Sequence, residues 1–244
     1  MAETRFKRYE LKYPIRPDEI ERVRAMIAPY ARPDDYASWR PGYTYTVRSI
    51  YYDTPGLRFY WEKDAGLRVR KKLRLRTYNE DGPDSVVSFE IKRKNGTIIF
   101  KERVILPLGV GQAYLHEGRR AMDGLRPSPG ARATLERFAQ LTELLRLRPV
   151  VLISYDREAY IGRINGRERL TIDKDIRSLA RPRADEWHAE RGFRHLTDHI
   201  QVLELKFDGS MPPWMRPVTG YLDRTHRPIS KYCKGIDLWG QGSF

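Results

Sequence analysis

The residues of this chain best suited to chemistry are bases set two apart. Within residues 66–78, Arg68 and Arg70 alternate with Leu67 and Val69, and Arg74 and Arg76 alternate with Leu73 and Leu75. Alternation at period two marks a β-strand with unlike faces. It stacks the bases of one face about 7 Å apart. The Lys71–Lys72 pair interrupts the pattern and predicts a bulge or a bend. A guanidinium fork matches phosphate oxygens two at a time, whereas a lysine is a compact point charge. A ladder carrying both suits a chain of phosphates.

The pattern recurs along the chain. Arg8, Glu10 and Lys12 share one face, as do Glu90, Lys92 and Lys94, and Lys101 and Arg103. Tyr155 goes with Arg157, Arg169 with Thr171, Asp173 and Asp175, and Glu204 with Val202 and Lys206. One reading is an antiparallel sheet with an ordinary solvated face. Against it, these faces favour Arg and Lys with a recurring lone Glu, where a solvated face mixes signs with Thr, Ser and Gln. Such strands can instead close with their charges inward, as a basic tunnel whose few carboxylates hold a metal ion. A lone Glu amid bases is equally suited to balancing charge, since it is costly to leave unpaired. Both roles stay open for Glu10, Glu90 and Glu204.

These side chains need a frame, and periodicity with turn residues predicts one. Strands are expected near 4–13, 43–52, 66–78, 85–94, 98–106, 150–163, 167–176 and 199–207. Pro17, Asp18 and Glu19 open an amphipathic helix to about 28, with acids in the first turn as the helix dipole prefers. Residues 30–42 read as a loop. Asp53-Thr54-Pro55 reads as a turn before a short helix at 57–63. Residues 79–83 and Asn95-Gly96 read as hairpin turns, and Asn165-Gly166 joins two further strands. Residues 109–146 read as helical around a turn at 126–130, residues 178–198 as an irregular insertion, and the tail as Pro-interrupted helices. With no repeat or convincing linker, one domain over 1–244 is the economical expectation.

Composition bounds the chemistry. The 46 Lys+Arg against 32 Asp+Glu leave a net charge of +14, which calls for a polyanionic partner. The 15 Tyr, 8 Phe and 5 Trp are too many for a disordered chain. Cys233 is the sole cysteine, so intramolecular disulfides and Cys-built metal sites are excluded. His116, His188, His195, His199 and His226 are scattered without zinc-binding spacing, and neither a P-loop nor a GxGxxG pattern occurs. There is no apolar run of about 18 residues and no secretory leader, so a cytoplasmic protein without a transmembrane segment is expected. Nucleic acid is not an expected partner. The bases alternate on strands rather than stripe a helix, and no recognition motif appears.

Eight pieces carry a family likeness: Arg8-Tyr9-Glu10-Leu11-Lys12-Tyr13, Ile50-Tyr51-Tyr52-Asp53-Thr54-Pro55, Leu73-Arg74-Leu75-Arg76-Thr77-Tyr78, Phe89-Glu90-Ile91-Lys92-Arg93-Lys94, Tyr155-Asp156-Arg157, Leu170-Thr171-Ile172-Asp173, Leu203-Glu204-Leu205-Lys206-Phe207 and Ser230-Lys231-Tyr232. In order and spacing they resemble the VTC domain, the catalytic domain of the vacuolar transporter chaperone complex. That domain belongs to the triphosphate tunnel metalloenzymes, the superfamily that includes the CYTH proteins. The resemblance runs from about residue 5 to 235. It implies an α+β fold, an eight-stranded antiparallel β-barrel tunnel with flanking helices. It also implies a polyphosphate polymerase that uses ATP, with Mn²⁺ or Mg²⁺ as cofactor. Other members of the superfamily hydrolyse triphosphate or make cyclic AMP. A triphosphate or nucleoside-triphosphate hydrolase and a non-catalytic polyphosphate-binding module therefore stand as alternatives. The appended SPX and membrane-spanning parts of the eukaryotic complex are not in this sequence, which looks like a stand-alone protein of prokaryotic style.

The resemblance implies roles residue by residue. Arg74 and Arg76 match the pair that grips nucleotide phosphates, and with Lys92, Arg157 and Lys231 they form the expected catalytic set. Lys12, Lys101, Arg103, Tyr155, Arg169 and Lys234 are the expected substrate contacts. Glu204 matches the metal-binding glutamate, with Glu10 and Glu90 as further metal candidates. Pro228 stands where the eukaryotic enzymes carry a second lysine, with Lys234 or Arg227 as substitutes. Asp173 sits where the family has an acid.

Overall fold

The structure, a computed structural model, describes residues 8–79, 82, 84–96, 98–122, 127–196, 201–223, 226 and 229–244. Its strands are β1 (Arg8–Ile15), β2 (Ala31–Pro33), β3 (Thr44–Asp53), β4 (Val69–Tyr78), β5 (Val86–Asn95), β6 (Ile98–Pro107), β7 (Arg148–Gly162), β8 (Arg169–Ala180), β9 (Arg194–His195) and β10 (Gln201–Asp208). Its helices are α1 (Ile20–Ile27), α2 (Arg58–Asp64), α3 (Leu108–Glu117), α4 (Pro129–Leu144), α5 (Arg216–Leu222) and α6 (Lys231–Trp239). Eight strands hydrogen-bond in the order β1-β10-β8-β7-β3-β4-β5-β6, with β2 beside β7 and β9 beside β8. The α+β class and the eight-strand antiparallel path are those expected.

The backbone gathers into two compact units. The first comprises Met1–Tyr45, Tyr155–Ile176 and Thr197–Ser230; the second comprises Thr46–Ser154, Arg177–Leu196 and Lys231–Phe244. In the first unit, β1 pairs β10, with Lys12 opposite Glu204 and Glu10 opposite Lys206. β10 in turn pairs β8, with Glu204 opposite Thr171 and Lys206 opposite Arg169. The odd positions of β1 and β10 point the other way. There Tyr13, Ile15, Leu203, Leu205 and Phe207 bury against Ile20, Val23 and Ile27 of α1 and Val218 and Leu222 of α5. The i, i+3, i+7 spacing on α1 supplies the stripe this burial needs. Glu19 starts that helix by accepting the Arg16 backbone N–H at 2.7 Å.

In the second unit, register sets Arg74 of β4 between Tyr51 of β3 and Glu90 of β5, and Arg76 between Ser49 and Ser88. Leu73, Leu75, Val87, Phe89, Ile91, Val104 and Leu106 face the opposite side and form the core with Tyr114 of α3 and Phe138 of α4. Helix α6 lies directly on β7. A Cβ on Gly235 would come within 2.6 Å of Ile153 Cδ1 and 3.2 Å of Val151 Cγ2, so any larger residue would have to displace side chains of β7.

Four expectations change. No bulge occurs at Lys71–Lys72, because the β4–β5 register runs unbroken from Val69 to Arg76. Lys72 joins Arg70, Arg74 and Arg76 on one face, and Lys71 alone takes the other. The predicted loop at 30–42 holds a short strand, β2, paired to β7. The predicted irregular insertion supplies the end of β8 and also β9. Asp175 has φ +45°, which interrupts the alternation after Asp173 and separates it from the expected ladder of Arg169, Thr171 and Asp173. Pro228 and Arg227 lie outside the described residues.

Candidate functional site

The second unit presents a basic sheet face. β4 contributes Arg70, Lys72, Arg74 and Arg76; β5 contributes Lys92 and Lys94; β6 contributes Lys101 and Arg103. Lys72, Lys92 and Lys101 are direct cross-strand partners, so three ammonium groups form one rung. On these three strands the only carboxylate of that face among the described residues is Glu90, which is 2% exposed. Arg74 donates to Glu90 Oε2 through Nε (2.7 Å) and Nη2 (2.5 Å), and Lys101 Nζ lies 3.0 Å from Oε1. Burial alone would raise the pKa of Glu90. Arg74, Arg76 and Lys101 overcome that and hold the carboxyl well below the usual range. For Lys101, burial outweighs the attraction of Glu90 and lowers its pKa.

Arg76 is buried and donates to Ser49 Oγ at 2.9 Å. Arg74 Nη1 donates to Tyr51 Oη at 3.1 Å. Burial works to keep the Tyr51 phenol protonated, yet Arg74, Arg76 and Lys72 bring its pKa down to about 7. Tyr51 stacks on Tyr232, ring centroids 5.0 Å apart, and the Tyr232 hydroxyl donates to Asp53. Asp53 is fully buried and also accepts the backbone N–H groups of Thr54, Phe59 and Tyr60 at 2.7–2.9 Å. It thereby ties the start of α2 to the start of α6. Lys231, half-buried, is the first residue of α6, while Lys234 is exposed one turn on. Arg103 stands opposite Glu90 in the register, on an exposed strand position.

The first unit presents a balanced face. Lys12 Nζ lies 2.8 Å from Glu10 Oε1 and 3.4 Å from Glu204 Oε2, and Lys206 pairs with Glu204 from the other side. Burial would lower the Lys12 pKa, but Glu204 and Glu10 raise it above the ordinary lysine value. Lys206 goes the opposite way, because burial outweighs its carboxylate partners. Arg157 forms a two-pronged bond to the fully buried Asp173, Nε to Oδ1 at 2.6 Å and Nη2 to Oδ2 at 2.8 Å. Its guanidinium lies 5.2 Å from the ring of the buried Tyr155. Arg169 Nη2 donates to Asp34 Oδ2 at 2.5 Å and to Tyr45 Oη at 3.3 Å.

The expected residues thus fall into two groups. Arg74, Arg76, Lys92, Lys101, Arg103, Glu90, Lys231 and Lys234 belong to the second unit, and Lys12, Glu10, Tyr155, Arg157, Arg169 and Glu204 to the first. Sequence reasoning missed Lys72, Tyr51, Ser49, Asp53 and Tyr232 in the second unit, and Lys206 and Asp34 in the first. Lys72 carried a signal, its even spacing from Arg70 and Arg74, that the adjacent Lys71 obscured. Asp53 reads as a turn residue in sequence, and its four donors converge only in the fold.

The donors for a metal ion are few. Among the described residues, no group of three or more His, Cys, Asp or Glu side chains is placed to hold one. Glu10 and Glu204 do converge on one cationic point, the Lys12 ammonium. Two hard carboxylates suit Mg²⁺ or Mn²⁺ when phosphate oxygens and waters complete the shell, so this pair fits the implied ion. Glu90 is already gripped by Arg74 and Lys101.

Among solved structures, the chain is similar to the putative adenylyl cyclase HpAC1 from Hippeastrum, described as revealing a dominant triphosphatase activity. The identity is 12% over 93% of this chain and 94% of that one, with a TM-score of 0.53. It is also similar to the PH1819 protein from Pyrococcus horikoshii OT3, at 13% identity over 96% and 99% of the two chains, with a TM-score of 0.48. At such identity the likeness to HpAC1 shows the fold alone, and it is the expected one. No curated protein matches the chain. The VTC domain model matches residues 7–239, nearly the whole length, and the chain therefore belongs to the VTC domain family.

Proposed function

We propose that the protein is a cytoplasmic, metal-dependent polyphosphate polymerase that transfers the γ-phosphate of ATP to a growing polyphosphate chain. The observation that carries this reading is the basic face of the second unit. There Arg74, Arg76, Lys92, Lys101 and their neighbours face a single carboxylate. A protein leaves such a surplus on one sheet face at a cost in self-repulsion. A ligand with one negative charge per unit relieves it. Membership of the VTC domain family supports phosphate chains as that ligand.

Arg74 and Arg76 are suited to grip phosphates, because Glu90 and Ser49 hold their guanidinium groups in place before substrate arrives. The Lys72–Lys92–Lys101 rung offers successive point charges along which a chain can shift. Lys231 stands at the start of α6 in the same unit. In the first unit, Arg157, fixed by Asp173, is a pre-set donor for phosphate oxygens. In the first unit, Glu10 and Glu204 would hold a Mn²⁺ or Mg²⁺ ion, which would supply positive charge for phosphate oxygens. In the reaction, an oxygen of the chain end bonds to the γ-phosphorus while the bond to the β,γ-bridging oxygen breaks. ADP leaves, and the chain gains one phosphate.

A second reading is a triphosphate hydrolase, in which water replaces the chain end. It is favoured by the fold shared with HpAC1, itself described by a dominant triphosphatase activity. Purified protein with ATP and Mn²⁺ separates the readings. A ladder of polyphosphate on a gel is the expected result. Orthophosphate without a ladder establishes the hydrolase, and unchanged ATP beside tight polyphosphate binding establishes a binding module.

A further inference from the structure

The end of the β4–β5–β6 sheet carries apolar side chains that are about half exposed. Leu67, Val69, Ile98, Ile99 and Phe100 are each between 48% and 56% exposed. Register puts Val69, Asn95 and Ile98 in the outermost rank. Behind it come Arg70, Lys94 and Ile99 on one face, and Lys71, Arg93 and Phe100 on the other. Apolar groups and bases thus occur on both faces of the same tip. The tip is tied together: Gly96, at φ +59°, donates its N–H to Arg68 O at 3.0 Å, and the Arg93 guanidinium lies 5.8 Å from the Phe100 ring.

Bases dominate the charge there. Residues 65–78 and 91–101 contain no Asp or Glu, and Glu102, the next residue of β6, pairs with Arg93 at 2.7 Å. Because β6 ends the strand path, pairing with a second copy is the obvious alternative occupant. A two-fold contact would set these bases against their own copies, which disfavours it. A flat partner surface would reach the apolar groups of one face only. A layer that surrounds the tip end-on, with acidic groups at its surface and an apolar interior, satisfies both faces at once.

We propose that this tip docks on an anionic lipid bilayer. Leu67, Ile98 and Phe100 enter the headgroup layer, and Arg68, Arg70, Lys71 and Lys94 meet acidic headgroups. Among the described residues, no helix is long and apolar enough to cross a membrane. The tip shares Arg70 and Lys94 with the basic face but none of Arg74, Arg76, Lys92, Lys101 or Lys231, to which the proposed function assigns phosphate contacts, and the variants below change neither shared residue.

The test is cosedimentation of the full chain with vesicles of phosphatidylcholine alone and of phosphatidylcholine with phosphatidylserine. The expected result is binding to the acidic vesicles that weakens with salt, and little binding to the neutral ones. The double variant Ile98→Ser/Phe100→Ser should weaken acidic-vesicle binding roughly tenfold. Arg68→Glu/Lys71→Glu should do so by roughly tenfold or more. Both should keep wild-type turnover and far-UV circular dichroism. Absence of binding to either vesicle overturns the proposal, as does acidic-vesicle binding that both variants retain. A concentration-dependent dimer that Ile98→Ser/Phe100→Ser dissolves, without vesicle binding, assigns the tip to a second copy and overturns it as well.

Discussion

On the first unit's polar face, bases meet carboxylates one to one: Lys12 with Glu10, Lys206 with Glu204, Arg157 with Asp173 and Arg169 with Asp34. On the second unit's face, strands β4 to β6 carry Arg and Lys residues and, among the described residues of those strands, one carboxylate, Glu90. Both faces arise from the same period-two alternation, yet they suit different partners. A balanced face suits exchange of one cation for another, and the proposed function has Glu10 and Glu204 trade the Lys12 ammonium for a divalent ion. An unbalanced face calls for anions, and its single carboxylate positions Arg74 and Lys101 rather than neutralising the whole.

This contrast can be broken by substitution. The largest effect is expected in the second unit. Arg74→Ala or Arg76→Ala should lower turnover about 100- to 1000-fold, each losing a pre-set phosphate donor. Turnover near wild type in both variants would move phosphate binding off this face. Next, Glu204→Gln should raise the Mn²⁺ concentration needed for half-maximal activity by at least ~10-fold. Should it raise the KM for ATP and leave the metal requirement alone, the roles of the two faces are wrongly divided.

A structural effect follows. Asp53→Asn places an amide where the carboxylate accepts four donors, and should cost about 2 kcal/mol in a denaturant titration. An unchanged midpoint would mean that α6 is held by its apolar face alone. Tyr51 sharpens the comparison by pH. Its phenol loses a proton at about 7 in the folded protein and near 10 in the unfolded chain. The stabilisation this brings is fully present above the unfolded value and is lost as pH falls through about 7. Denaturant midpoints should therefore rise between these pH values in the wild type and not in Tyr51→Phe. A phenolate among the cations also competes with phosphate, so polyphosphate affinity should fall over the same range. The smallest effect is expected at Lys234. It is exposed, and Lys234→Ala should change turnover less than about twofold. A larger loss would restore it as the substitute for the lysine that Pro228 replaces.

Much of this is legible in the sequence. The strand ladders were readable because a strand's two faces depend only on neighbours two residues apart. Arg74 with Arg76, Glu90 with Lys92, and Tyr155 with Arg157 were found that way. Lys72 was lost because Lys71 beside it looked like a break. Alternation tolerates a base on the core face where, near the sheet end, its stem still reaches solvent. Asp53 was lost for a different reason. It lies next to a turn in sequence, and Tyr232, whose hydroxyl completes its set of donors, follows far along the chain. The short strand β2 escaped because its Pro-containing segment has no alternation to read.

By itself, the sequence determined which side chains share a face, that bases exceed acids in the chain as a whole, and which family the order of the pieces resembles. These are properties of local spacing and composition. Only the tertiary structure decided which carboxylate meets which base. Lys12 finds Glu204 because β1 lies beside β10, and Arg157 finds Asp173 because β7 lies beside β8. Strand order and register are set by the packing of the apolar faces against α1, α3, α4 and α5, which no pattern within a single strand encodes. The same packing left one face balanced and the other in need of anions.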